Sequence, residues 1–153
     1  MADHRATIQW SGEAAAGDFV KGKYSREHTW AFDGGVTVPA SSSPSVVPAP
    51  WSSAAGVDPE EAYVASIASC HMLTFLYVAA KAGFAITGYR DEAIGALTKN
   101  ERGVPWVSKV TLAPVIQWAD RAPTAEELAG LHHAAHEGCF IASSVKTEIE
   151  ISH

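Results

Sequence analysis

Asp58-Pro59-Glu60-Glu61-Ala62-Tyr63-Val64-Ala65-Ser66-Ile67-Ala68-Ser69-Cys70-His71-Met72-Leu73 reads as the opening of one long helix. Asp58 can cap it, and Pro59 suits the first helical position, where a missing N–H costs nothing. Glu61 stands three residues after the cap, as in a capping box. The pattern runs to about Lys81 and stops near Gly83. From Val64 to Val78 the helix is apolar around most of its circumference, so it needs cover on several sides. One small sheet covers one side, and a partner subunit is the expected source of the rest. The stretch Ala62 to Ala80 is also about long enough to span a bilayer. His71 and several Ser and Thr interrupt it, and strand-like sequence follows at once, so a core helix is expected instead.

Working outward, the first third reads as strands. Arg5 to Trp10 alternates, Gly12 to Gly17 is small and turn-like, and Phe19 to Tyr24 and His28 to Phe32 follow. Asp33-Gly34-Gly35 signals a turn. Residues 39–57, rich in Pro, Ser and Ala, form a long loop carrying Trp51 beside Pro50. A loop of that length in a compact domain is often functional. Downstream of the helix, strand patterns return at Thr87 to Leu97, Pro105 to Ala113 and Val115 to Ala119. The polar segment Thr98 to Gly103 joins the first two as a hairpin. A second helix starts at Thr124, with Glu127 three residues on, and ends near Gly138. Val145 to Ile151 alternates as a closing strand. The class is α+β, with antiparallel strands and two long helices in a single domain over residues 1–153.

Composition narrows the partners. The chain has 153 residues, 47% hydrophobic and 18% charged, with a net charge of −6. That balance argues against nucleic acid and anionic membranes, because phosphate binding needs a basic face. The start, Met1 to Thr7, lacks a charged-then-apolar leader pattern, so a cytoplasmic protein is expected. There thiols are kept reduced, and a cysteine pair points to catalysis or metal binding more than to a structural bridge.

The chain holds two cysteines, Cys70 and Cys139, one in each long helix or at its end. Two small core residues are the plain reading, since free cysteine is among the most buried types. The chemical reading needs a thiolate, the nucleophilic form, and a thiolate needs a nearby cation. Cys70 lies mid-helix, beyond help from the helix terminus. His71 adjoins it but diverges by about 100° around the helix. An arginine, always charged and able to fork two hydrogen bonds, suits better. Of Arg5, Arg26, Arg90, Arg102 and Arg121, Arg26 stands out in Tyr24-Ser25-Arg26-Glu27-His28, at a strand entry among aromatic neighbours. A competing reading places His132, His136 and Cys139 on one helix face. With Cys70 they would supply a tetrahedral zinc set. Apolar candidate walls for a substrate pocket are Trp30, Trp51, Tyr63, Met72 and Phe140, and such a pocket favours an alkyl chain.

These features together resemble the OsmC/Ohr family of organic hydroperoxide reductases. Asp58-Pro59-Glu60-Glu61 is similar to the family's Asn-Pro-Glu-Glu/Gln, Cys70 follows Glu60 by ten residues, and Cys139 matches the second cysteine near the end of a second long helix. The order of elements matches over essentially the whole chain. The resemblance implies a thiol-dependent peroxidase with no cofactor or metal. Cys70 would be the peroxidatic thiolate and Cys139 the resolving thiol. Arg26 would be the activating cation and Glu60 its partner carboxylate. A dithiol or thioredoxin-like protein would be the reductant. It also implies an intertwined homodimer. Ten residues at about 1.5 Å each separate Glu60 from Cys70 by about 15 Å along one axis. If both serve one site, the Glu60 there belongs to the other chain. His71 after Cys70, Phe140 after Cys139 and the setting of Arg26 depart from the family pattern. The alternative is a non-enzymatic zinc or hydrophobic-ligand module on the same fold.

Overall fold

The computed structural model describes residues 2–152, and the chain packs as two compact units, residues 1–62 and 63–153. In the first unit, β1 (Ala6–Gln9), β2 (His28–Phe32) and β3 (Thr37–Ala40) form an antiparallel sheet in that order. Residues 19–24 differ from the strand expected there. Phe19 closes a short helix, α1 (Ala16–Phe19), and the chain then turns through Gly22 at a φ of 77°. That left-handed conformation suits glycine, which has no Cβ to clash. The turn folds Phe19 and Tyr24 onto Trp10. Phe19 and Tyr24 stack with ring centroids 4.4 Å apart, and Trp10 lies 5.9 and 5.8 Å from them. Contact among the three rings outweighs the strand reading of residues 19–24.

Helix α2 (Pro59–Lys81) starts with the expected box: the Glu61 N–H donates to Asp58 Oδ1 at 2.8 Å, and the Asp58 N–H donates to Glu61 Oε2 at 3.2 Å. It ends at Lys81, two residues before Gly83, which has a φ of 85°. Its buried residues, Ile67, His71, Phe75 and Ala79, recur every fourth position and form one stripe. Leu73 and Tyr77, off that stripe, are 61% and 64% exposed. By length and composition α2 is long and apolar enough to cross a membrane. Its buried stripe, however, packs into the core of the second unit.

The second unit continues with β4 (Ile86–Asp91), β5 (Ile94–Lys99), β6 (Pro105–Leu112), β7 (Pro114–Trp118), α3 (Ala125–Gly138) and β8 (Glu148–Ile151). The single strand expected over Thr87 to Leu97 breaks at Glu92 and Ala93, so that β4 pairs with β7 and β5 with β6, both antiparallel. β8 joins β6 in parallel, so the strands are antiparallel in all pairs but this one. Phe75 and Ala79 of α2 pack with Leu131 and Ala135 of α3 and with Phe84 in one core. Ile67, Val110 and Leu112 form a second.

Candidate active site

The second unit brings the two cysteines together. The Cys139 thiol donates to Cys70 Sγ across 2.8 Å, between residues 69 apart in sequence. Both are free thiols, Cys139 buried and Cys70 half-buried. Local chemistry fixes each. The Cys70 carbonyl accepts from Thr74 Oγ1 at 2.9 Å. Cys139 caps the C-terminus of α3, where its N–H donates to the His136 carbonyl at 3.2 Å. The Ala142 N–H donates to its sulfur at 3.4 Å. Gly138 permits the approach of the helices here, since a Cβ on it would lie 3.1 Å from Thr74 Cγ2. Burial, and then the hydrogen bond to Cys70, push the Cys139 thiol above its ordinary pKa. Burial thus favours the protonated form of Cys139, which faces Cys70 across 2.8 Å.

His71, the residue after Cys70, meets His132 of α3 in the core, with Nε2 and Nδ1 3.0 Å apart. Burial, aided by the charge of His136, lowers the His71 pKa from 6.5 to about 4. His132 thus engages a histidine of α2. Among the described residues no group of three His, Cys, Asp or Glu is arranged to hold a metal ion.

The first unit carries a groove of about 480 Å³, mostly apolar, lined by Ile8, Trp10, Phe19 and Tyr24 together with Arg26 and Glu60. Arg26 Nη1 donates to the carbonyls of Gly22 at 2.7 Å and Tyr24 at 2.6 Å. Its guanidinium carbon sits 3.7 Å above the Tyr24 ring, a cation–π contact. Arg5, Arg90 and Arg121 instead pair with carboxylates at the surface. Arg26 and Glu60, expected as partners, thus share this groove.

The expected apolar walls lie elsewhere. Trp51 takes part through its carbonyl, which accepts the Arg26 N–H at 2.9 Å. The Tyr63 hydroxyl bonds Thr147 Oγ1 at 2.6 Å and its ring packs on the second core, a structural post. Met72 is half-buried on α2, and Phe140 is 84% exposed. The groove walls that sequence reasoning missed are Trp10, Phe19, Tyr24 and Val46. The signal available was three aromatic residues within residues 10–24, beside the arginine already singled out.

The family model for OsmC-like proteins matches residues 52–153. The chain belongs to the OsmC-like family. A Vibrio cholerae OsmC-like protein of unknown function is 47% identical over 99% of both chains, with a TM-score of 0.93. An organic hydroperoxide resistance protein from Elizabethkingia anophelis has a TM-score of 0.70 at 18% identity, covering 99% of this chain and 93% of that one. OhrB of Bacillus subtilis, also an organic hydroperoxide resistance protein, has a TM-score of 0.69 at 21% identity, covering 99% and 98%. These last two show that the OsmC-like chain shares their fold. No curated protein sequence matches it.

Proposed function

We propose that this OsmC-like chain is a thiol-dependent peroxidase that reduces organic hydroperoxides to alcohols. The observation that carries the reading is the sulfur pair: two cysteines far apart in sequence face each other at 2.8 Å. In the first step the Cys70 thiolate attacks the terminal peroxide oxygen. An S–O bond forms, the O–O bond breaks, and the alkoxide leaves and takes up a proton to become the alcohol. Cys70 is then a sulfenic acid, which condenses readily with a neighbouring thiol. Cys139 attacks it, and the hydroxyl departs as water with the Cys139 proton. The resulting disulfide is reduced by a dithiol or a thioredoxin-like protein, which returns both thiols. Arg26 is the cation that stabilises the thiolate and Glu60 the carboxylate that orients it. The apolar groove beside them favours an organic peroxide over hydrogen peroxide.

We infer further that the working unit is a cytoplasmic homodimer acting as one functional domain per chain. Support comes from α2, whose Leu73 and Tyr77 stand uncovered beside a stripe of buried residues. The deciding experiment measures peroxide consumption by the pure protein with a dithiol, comparing tert-butyl hydroperoxide with hydrogen peroxide. Faster turnover of the organic peroxide is expected, and no turnover of either sinks the reading. The groove by itself favours a second reading, a carrier of hydrophobic ligands. Stoichiometric ligand binding by protein with both cysteines replaced, together with no peroxidase activity in the wild type, would select it.

A further inference from the structure

His28 lies two residues from Arg26, and both its ring nitrogens are engaged. Nδ1 is 2.7 Å from the Arg26 carbonyl oxygen, and the Trp30 indole N–H donates to Nε2 at 2.9 Å. A carbonyl oxygen only accepts and an indole N–H only donates. The proton of His28 therefore sits on Nδ1, and Nε2 carries the lone pair. The hydrogen bonds run in one direction, from Trp30 to His28 to the main chain of Arg26. On its other side, the Arg26 N–H is held by the Trp51 carbonyl at 2.9 Å. The peptide groups flanking Arg26 are thus gripped at both N–H and C=O, while its side chain reaches the groove. Trp30 is fixed in turn by the sheet, where it pairs with Ile8 of β1 and Val38 of β3. His28 also borders the groove. Both its nitrogens are taken by these bonds, so neither is free for a ligand there.

We propose that His28, oriented by Trp30, is a positioning residue that fixes the main chain of Arg26, the base from which its guanidinium reaches the Gly22 and Tyr24 carbonyls, for reaction. The proposal rests on the peroxidase reading and names a further residue of that site. A long cation at the end of a mobile loop would lose alignment with a developing charge, and misplacement of such a group by about 1 Å costs about 100-fold in rate. The Nδ1–H bond holds the main chain that carries the cation, and the Trp30 bond keeps the imidazole in the tautomer able to make it.

Three variants test this: His28→Phe keeps a ring without nitrogens, His28→Asn restores a donor near the Nδ1 position, and Trp30→Phe removes the indole N–H while keeping an aromatic ring. Two readouts run together, steady-state kinetics with tert-butyl hydroperoxide and hydrogen exchange at the Arg26 amide. His28→Phe should lower kcat about tenfold or more with KM little changed, the pattern of a lost transition-state interaction. The Arg26 amide should exchange about tenfold faster, reporting local opening of the segment. His28→Asn should return both readouts to within about threefold of wild type, since an amide N–H supplies the same donor. If His28→Phe does not fold, Trp30→Phe reads the same clamp, with a smaller loss in kcat and faster Arg26 exchange. Wild-type kcat in His28→Phe or, should that variant not fold, in Trp30→Phe overturns the proposal. So does His28→Asn as slow as His28→Phe, or a change in KM alone, which would mean direct contact with the peroxide. A wild type that turns over no organic hydroperoxide overturns the peroxidase reading and the catalytic part of this one, and the exchange data then judge the clamp separately.

Discussion

His71 and His132 meet edge to edge in the core of the second unit, centroids 5.3 Å apart and planes 12° from parallel, with Nε2 and Nδ1 3.0 Å apart. The pair ties α2 to α3 near the sulfurs, and it makes the fold sensitive to acid. The folded protein holds the His71 pKa at about 4, against 6.5 in the unfolded chain, mainly through burial. Above about pH 6.5 neither state carries that proton and the stabilisation is complete. As the pH falls from 6.5 towards 4, the unfolded chain takes up a proton that the folded chain refuses, so stability drops by about 2 kcal/mol. Urea unfolding midpoints at pH 7 and pH 4.5 measure this. His71→Phe should flatten the slope over that range, and an unchanged slope would assign the acid sensitivity to other groups.

Peroxide should join the sulfurs. One equivalent of tert-butyl hydroperoxide is expected to remove both free thiols and give an intramolecular Cys70–Cys139 disulfide, seen as a loss of two hydrogens by intact mass. In Cys139→Ser the sulfenic acid on Cys70 has no partner and should be trapped by a dimedone-type reagent or over-oxidised. Cys70→Ser should abolish turnover, leaving less than about 1% of wild-type rate, because no second nucleophile replaces it. Two free thiols in peroxide-treated wild type would refute the two-cysteine route.

If Arg26 stabilises the Cys70 thiolate as proposed, Arg26→Ala should slow peroxide reduction about tenfold or more with the circular dichroism spectrum preserved. Arg26→Lys keeps the charge but not the planar fork that bonds Gly22 and Tyr24 and stacks on the Tyr24 ring. It should recover only part of the rate, as lysine does at sites built for arginine. Alkylation of Cys70 across a pH series would show whether the thiolate population changes, and an invariant series would remove Arg26 from the site.

The helix caps offer a test of stability apart from chemistry. Asp58→Ala removes the acceptor for the Glu61 N–H, and Thr124→Ala removes the acceptor for the Glu127 N–H. Each should cost about 1 kcal/mol. Thermal midpoints should fall by about 2–4 °C for each, as expected of a chain this size. Larger losses would mean that the caps hold more than their own helices.

The long-range order of the fold was legible where local chemistry decides it. Both capping boxes, the β2 strand at His28–Phe32 and the hairpin around Asn100 stand as the residues suggested. What stayed hidden depends on partners distant in sequence. The parallel seating of β8 on β6 is set by the path of the chain and leaves no local mark. The bond between His71 and His132 spans 61 residues. Both histidines were visible as chemical candidates, but only their common burial shows that they satisfy each other. The groove was missed for a similar reason. Trp10 comes from the end of β1, Phe19 from α1 and Tyr24 from a turn, and no periodicity links them.

The 69-residue interval between the two cysteines has a consequence for heat and denaturant. Closing a covalent ring of that size removes much of the unfolded chain's freedom, worth about 4 kcal/mol by loop-closure entropy. The oxidised protein should therefore melt well above the reduced one, and a dithiol should bring the midpoint back down. A melting curve taken without any substrate would then read out whether a given molecule has met peroxide since it was last reduced.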